Sequence, residues 1–181
     1  MRDILREQQL DDKMYKPELV LNRISSAKNN LYSWQDYQEN VNFVNDDISS
    51  GKPKLGMLFE LYVKRCFKAS GMDFDDLLFN MYVLLSKFPD ALHKYQHKFK
   101  YVLVDEFQDT NARQWRVIGR LADNVLQSTE GGRSFFYVGD VKQAIYAWRG
   151  GESTLFDAVR TYYGDRFGGA RVLDTSWRSS P

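Results

Sequence analysis

In Tyr101-Val-Leu-Val-Asp-Glu-Phe-Gln-Asp-Thr110, four residues of strand-forming character end abruptly in two adjacent carboxylates, Asp105 and Glu106. A second strand-like run, Phe135-Phe-Tyr-Val138, ends in Gly139-Asp140. Both runs are rich in the β-branched and aromatic residues that suit a pleated, half-buried surface. Ligands of open α/β sheets lie beyond the carboxyl ends of the strands, so we expect Asp105, Glu106 and Asp140 to lie at that edge.

The sequence around the two strands alternates between strand and helix patterns. A helix is predicted over 111–126, a polar loop over 127–133, a further helix over 152–163 and a short strand near 171–173. That alternation is typical of a parallel sheet with crossover helices.

The region before the first strand has helical periodicity. Apolar residues recur at three- and four-residue spacings over 2–86, and a loop is predicted over 45–53. Asp73, Asp75 and Asp76 fit the first turn of another helix, where the helix dipole favours negative charge, and Pro89 fits the start of the next. The sequence therefore predicts a helical region joined to part of an α/β sheet.

Composition limits the classes of protein that need to be considered. The 181 residues are 43% hydrophobic, which is enough for one core, or for one domain with an insertion. The net charge is +1 and basic and acidic residues balance on both sides of Lys100, so charge gives no support to an autonomous DNA-binding protein. A single cysteine, Cys66, excludes an internal disulfide, and no apolar run reaches the ~18 residues of a membrane span. We expect a reducing cytoplasm and no membrane partner.

The adjacent carboxylates point to phosphate chemistry. A carboxylate at the end of a strand can hold Mg²⁺ against nucleotide phosphates, and its neighbour can orient or deprotonate the attacking water. The alternative is that Asp105 and Glu106 only cap the next helix or lie in solvent.

Four segments resemble motifs of the UvrD/Rep-type superfamily 1 DNA helicases, in the order in which that family carries them. Residues 104–111 resemble motif II, the Walker B equivalent, and residues 138–151 resemble motif III. Residues 73–78 resemble a short motif ahead of motif II, and residues 175–179 resemble the start of motif IV. The resemblance covers nearly the whole chain.

This resemblance implies an α/β fold class: part of a RecA-like P-loop NTPase parallel sheet with an α-helical insertion. Residues 1–70 would form the helical insertion (subdomain 1B), and residues 71–181 part of the ATPase domain (subdomain 1A). Motif III, with Lys142 and the Gly150-Gly151 pair, is closer to the AddA/RecB branch, whereas the stretch before motif II is closer to UvrD itself. The subfamily stays open, as does the presence of an attached nuclease domain or subunit.

The resemblance also implies roles for individual residues. Asp105 would hold Mg²⁺, Glu106 would be the catalytic base, and Gln143 would contact the γ-phosphate of ATP. Arg178 would neutralise charge on the transferred phosphoryl group, and Arg149 would link the phosphate side to the DNA side. These roles suit phosphoryl transfer, which is catalysed mainly by positioning and by charge stabilisation.

Two aromatic residues of motif III would contact DNA. Tyr146 and Trp148 would stack on bases, which an aromatic ring can do without reading sequence. Their alternative role is core packing, because aromatic pairs commonly fill interiors. Arg178 could likewise be a surface residue or a salt-bridge partner.

The family's activity is ATP-driven movement along single-stranded DNA and duplex unwinding, in DNA repair or recombination, with ATP and Mg²⁺ as cofactors. Hydrolysis requires a phosphate-binding G-x-x-x-x-G-K-[ST] loop. Ser50-Gly-Lys-Pro53 is the nearest segment, and it has proline at the hydroxyl position. We therefore expect an internal piece of the motor that carries about half of one ATP site and is inactive alone. The alternative is a non-catalytic DNA-binding or protein-interaction module.

Overall fold

The computed structural model describes residues 1–128, 131–140 and 154–166, and the chain divides into two compact units, Met1–Pro89 and Asp90–Pro181. The first unit contains α1 (Arg2–Glu7), α2 (Pro17–Asn29), α3 (Trp34–Glu39), α4 (Val41–Ser49), α5 (Leu55–Lys68) and α6 (Phe74–Lys87). Helix α7 (Pro89–Lys98) leads into β1 (Tyr101–Val104), a 3-10 turn (Phe107–Asp109), α8 (Ala112–Gln127), β2 (Ser134–Tyr137), α9 (Thr154–Tyr163) and a second 3-10 turn (Gly164–Arg166). Within these described ranges no helix is both long and apolar enough to cross a membrane.

The core of the first unit is built from the apolar faces of its helices. Val20, Ile24 and Ala27 lie at four- and three-residue spacings, which places them on one face of α2. The same buried cluster includes residues from α1, α3 and α5: Ile4, Leu5, Tyr37, Leu55, Leu58 and Phe59. The helical periodicity predicted from the sequence is therefore confirmed, and it reflects burial of one face of each helix.

A buried ammonium joins α2 to the start of α6. Lys28 follows the apolar residues of α2 and is only 2% exposed. Its Nζ lies 2.7 Å from Asp73 Oδ2 and 2.7 Å from Asp76 Oδ1. Tyr62 Oη also donates to Asp73 Oδ2, at 3.0 Å. Removal of a charge from water is costly unless the charge is paired, so this cluster fixes the two helices to each other.

The same aspartates begin α6. Asp73 is the N-cap: its Oδ1 accepts from the Asp76 amide at 2.9 Å, and Asp76 Oδ2 accepts from the Asp73 amide at 3.0 Å. This reciprocal pair is a capping box, which satisfies backbone donors that the first turn of a helix leaves free. The prediction of a charged first helical turn at Asp73, Asp75 and Asp76 is confirmed.

The predicted loop over 45–53 is wrong for residues 45–49, which belong to α4. Asn40 begins this helix, because its side chain accepts from the amides of Asn42 and Phe43. Asp47, which suggested a loop in the sequence, is buried and accepts from Tyr37 Oη at 2.8 Å and from Arg23 at 3.2 Å. Burial raises the pKa of Tyr37 to about 12. A turn-forming residue is thus tolerated in a helix because its carboxylate is paired.

The second unit contains a two-stranded parallel sheet, as the sequence predicts. In its register Val102 is opposite Phe135 and Val104 is opposite Tyr137. These four side chains share one face and pack with residues of α8, including Ala122 and Val125. Tyr101, Leu103 and Phe136 point to the other face and are exposed. The strand predicted near 171–173 and residues 152–153 of the last predicted helix lie outside the described residues.

We expect replacement of Lys28 with methionine to destabilise the chain by about 3–5 kcal/mol, because it leaves two largely buried carboxylates without their cation. Urea unfolding followed by circular dichroism measures this loss. Lys64→Met is the matched control, since Lys64 pairs with Glu60 on the surface. The control should unfold at nearly the wild-type urea concentration. Equal midpoints for the two variants would contradict a structural role for the Lys28 cluster.

Asp73 should make stability depend on pH. Burial alone would raise the pKa of Asp73, but hydrogen bonds from Lys28 and from the Asp76 amide, with the Lys28 charge, hold it below its ordinary value. The stabilisation is therefore complete above the ordinary aspartate pKa of about 3.9 and is lost as the pH falls through the lower folded-state value. Asp73→Asn keeps a capping oxygen but no charge.

The measurement is the urea midpoint of wild type and Asp73→Asn from neutral to acidic pH. The variant should be less stable at neutral pH, and the difference should shrink as Asp73 of the wild type becomes protonated. A difference that stays constant over this range would show that the Asp73 charge does not contribute.

Candidate active site

Strands β1 and β2 end side by side, and backbone hydrogen bonds continue the pairing beyond the sheet. The Val138 amide donates to the Val104 carbonyl at 2.9 Å, and the Phe107 amide donates to the Val138 carbonyl at 2.9 Å. The segments that follow the two strands are therefore joined at one edge. This edge carries Asp105 and Glu106 after β1, and Gly139 and Asp140 after β2.

The paired carboxylates lie on a sharp bend. Asp105 and Glu106 are both exposed, and Asp105 Oδ1 accepts from the Glu106 amide at 2.9 Å. Glu106 has left-handed backbone angles, φ 49° and ψ 43°, and its carbonyl accepts from the Asp109 amide at 2.9 Å. This conformation costs a residue other than glycine about 1–2 kcal/mol. Such outliers persist only where the surrounding structure holds them, and they are concentrated at functional sites.

Burial of the Phe107 side chain stabilises this bend. Its side chain is fully buried, with ring centroids 4.6 Å from Tyr137, 4.9 Å from Phe156 and 5.6 Å from Trp115. These rings come from β2, α9 and α8 respectively. The chain therefore passes from two exposed carboxylates to a core residue in one step.

Gln108 fills the space between the two strand ends. Its side chain is buried, and its Oε1 accepts from the Asp140 amide at 3.1 Å. Gly139 makes this approach possible, because an added Cβ there would lie 2.2 Å from Gln108 Oε1 and 3.0 Å from the Phe107 nitrogen. Residue 139 must therefore be glycine, because there is no room for a side chain.

Asn111, and neither of the two carboxylates, caps the next helix. Its Oδ1 accepts from the Arg113 amide at 3.0 Å and from the Gln114 amide at 2.8 Å, and Gln114 Oε1 accepts from the Asn111 amide at 3.0 Å. The capping explanation for Asp105 and Glu106 is therefore wrong, and both carboxylates stay open to solvent.

The donor set fits Mg²⁺ in the way that nucleotide sites use it. Mg²⁺ is held there by one or two carboxylates together with phosphate oxygens and water. Asp105 offers an exposed carboxylate at the strand end, and Asp109 Oδ1 is buried with no hydrogen-bond partner among the described residues. Within the same residues no group of three or more His, Cys, Asp or Glu side chains forms a metal site.

The structure brings together only some of the residues that the sequence suggests. Asp105, Glu106 and Asp140 meet at one edge, whereas the other predicted site residues lie outside the described residues: Gln143, Tyr146, Trp148, Arg149 and Arg178. Sequence reasoning gave no role to Gln108 or Gly139. A polar residue directly after a core phenylalanine, and a glycine directly after a strand, were the available signals.

A helical unit and a unit with a parallel two-stranded sheet and flanking helices define the fold class, part of an α/β domain joined to a helical region. A family comparison makes this specific. The chain belongs to the UvrD/Rep-type helicases, since residues 1–163 match the family model for the UvrD/REP helicase N-terminal domain. The family resemblance is thereby confirmed, and the segment that resembles the start of motif IV, 175–179, lies beyond the matched residues.

Three similar curated proteins share one name. The chain is 34% identical to the ATP-dependent DNA helicase PcrA of Bacillus subtilis (strain 168) over 154 residues, which are 85% of this chain and 19% of that protein. It is 30% identical over 152 residues to proteins of the same name from Staphylococcus epidermidis (strain ATCC 12228) and Staphylococcus aureus (strain Mu50), covering 84% of this chain and 19% of each. The chain thus spans about a fifth of the length of these relatives.

We expect Phe107→Ala to destabilise the chain by about 3–5 kcal/mol, because it empties the contact among four aromatic rings. Phe136→Ala is the matched control on the same sheet, where the ring is 56% exposed. Its cost should be about 0.5 kcal/mol or less. Urea unfolding followed by tryptophan fluorescence reports on both variants. Similar losses would contradict the role of Phe107 as the anchor of the bend.

Proposed function

We propose that this chain is part of an ATP-dependent DNA helicase that couples ATP hydrolysis to movement on single-stranded DNA and to duplex unwinding in DNA repair or recombination. The observation that carries the proposal is the bend after β1, which presents Asp105 and Glu106 to solvent at the carboxyl end of a parallel strand. Membership of the helicase family supports it, as do relatives named as ATP-dependent DNA helicases. The same membership argues against a non-catalytic module.

The two carboxylates would divide the work of hydrolysis. Asp105 would hold Mg²⁺, which supplies charge neutralisation at the phosphate oxygens. Glu106, the next residue, would orient the attacking water and accept its proton. The left-handed backbone at Glu106 ends the strand geometry there, so the side chains of Asp105 and Glu106 do not follow the regular alternation of a strand. This supports separate roles for them.

The roles of the remaining site residues rest on the sequence motifs. Gln143 would contact the γ-phosphate, Arg178 would stabilise charge on the transferred group, and Arg149 would connect the nucleotide side with the DNA side. Tyr146 and Trp148 would stack on bases of single-stranded DNA. Gln143 lies three residues beyond Asp140, so the edge described above leads directly into this segment.

The division into subdomains belongs to the same proposal. Residues 1–70 would be the helical insertion 1B, and residues 71–181 part of a RecA-like domain 1A. The compact units divide later than this, between Pro89 and Asp90. Helix α6, which the proposal assigns to 1A, therefore lies in one unit with the helices assigned to 1B, and Lys28 joins it to α2. The two aspartates that bind Lys28, at the N-cap and in the first turn of α6, come from the short motif ahead of motif II. This motif would thus act by fixing the position of α6.

The Glu106→Gln substitution tests the proposal. It is made in the full-length protein, expressed from the complete reading frame that contains this sequence. General-base catalysis contributes about 10²- to 10⁴-fold, so DNA-stimulated ATP turnover should fall by about that factor. Binding of a fluorescent ATP analogue should stay within about 3-fold, since the side chains are isosteric and Asp105 is unchanged. Glu39→Gln, on the exposed surface of α3, is the control and should turn over ATP at the wild-type rate.

Two results would contradict the proposal at different levels. Absence of DNA-stimulated ATP hydrolysis in the wild-type protein would refute the helicase function. Near-normal turnover by Glu106→Gln in an active protein would refute only the assignment of the base.

A further inference from the structure

Gln108 is a polar side chain in an unexpected place. It lies next to the core residue Phe107 and is only 6% exposed. Buried polar groups are retained where they make hydrogen bonds, and the bond here is made by Oε1, which accepts from the Asp140 amide at 3.1 Å. The two residues are 32 positions apart in the sequence. This side chain therefore joins the segment after β1 to the segment after β2.

The approach of these two segments is too close for another side chain. At Gly139 an added Cβ would meet Gln108 Oε1 at 2.2 Å, Phe156 Cζ at 2.9 Å and the Phe107 nitrogen at 3.0 Å. The amide of Gln108 thus rests directly on the Gly139 backbone. Even a methyl group would force the segments apart.

The link joins the two strand ends that carry the candidate site. Gln108 follows Glu106 by two residues, and its partner Asp140 is the carboxylate after β2. The backbone bond between the Phe107 amide and the Val138 carbonyl fixes the preceding residues of both segments. The next hydrogen bond toward solvent is the one from the Asp140 amide to Gln108 Oε1, and it requires a side chain that can accept.

We propose that Gln108 is a positioning residue that fixes the backbone of Asp140, at the end of β2, relative to the bend that carries Glu106. This inference rests on the proposed function and extends it to a residue with no assigned role. Gln108 does not contact the reacting atoms; it acts through the Asp140 amide. Because catalysis by positioning is sensitive to displacements of about 1 Å, loss of this bond should lower kcat more than it changes nucleotide binding.

The test compares two substitutions of similar size. Gln108→Met fills the same space but offers only a weak sulfur acceptor, whereas Gln108→Glu keeps an acceptor oxygen in the same place. In the protein used above for Glu106→Gln, we expect Gln108→Met to lower DNA-stimulated kcat by about 10- to 100-fold with KM for ATP within about 3-fold. Gln108→Glu should keep the bond to the Asp140 amide and at least half of the wild-type kcat, while its buried carboxyl group lowers the unfolding midpoint.

A second measurement reports on the bond itself in the 181-residue chain. The Asp140 amide should exchange its proton faster and shift upfield in ¹H–¹⁵N spectra of Gln108→Met, and remain near its wild-type position in Gln108→Glu. A merely structural role for Gln108 would lower the unfolding midpoint without this selective change at Asp140.

The outcomes separate the inference from the proposed function. An inactive wild type refutes the function, whereas an active wild type together with wild-type kcat in folded Gln108→Met overturns the role of Gln108. Equal losses in the Met and Glu variants also overturn it when the Asp140 amide of Gln108→Glu keeps its wild-type position, because the bond would then not matter. If Gln108→Met does not fold, Gln108→Glu decides: an unchanged Asp140 amide with at least half of the wild-type kcat supports the role, and an unchanged Asp140 amide in a folded variant with a loss of 10-fold or more overturns it.

Discussion

The candidate site depends on the burial of one residue, Phe107. Its ring is held among aromatic side chains from β2, α8 and α9, and its amide binds the Val138 carbonyl. Burial of a phenylalanine contributes about 2–3 kcal/mol, which offsets the about 1–2 kcal/mol cost of the left-handed backbone at Glu106. The core thus forces the bend, and the bend leaves the two preceding carboxylates in solvent. A single apolar contact positions two charged groups that make little packing of their own.

The sequence was sufficient to predict the strands and the edge at which they end. Valine, phenylalanine and tyrosine mark β1 and β2, and the helices between and after them require a parallel arrangement. Parallel strands end at one edge, so the proximity of Asp105 and Asp140 follows without further information. The bond between Gln108 and Asp140 could not be predicted in this way. Which side chain turns inward after a strand is decided by contacts such as those of Gly139, which join residues distant in sequence.

Charged residues in the first unit show the same limit. Lys28 continues the apolar stripe of α2, and its partners Asp73 and Asp76 lie more than forty residues away. Periodicity alone assigns a lysine to the surface, because an unpaired buried charge is very costly. Asp47 led to the opposite error, since a residue typical of loops lies inside α4 with its carboxylate bound by Tyr37 and Arg23. In both cases a partner distant in sequence allows a charged residue to be buried where its own residue type predicts exposure or a loop.

The two strand ends are joined by two bonds of different kinds, one between backbone groups and one that requires a particular side chain. The bond of the Phe107 amide to Val138 belongs to the backbone and persists whatever side chains are present. The bond of the Asp140 amide to Gln108 depends on one side chain and lies one step closer to solvent. Because Gln108 follows Glu106 by only two residues, the outer bond joins the bend after β1 to the end of β2 through a single side chain.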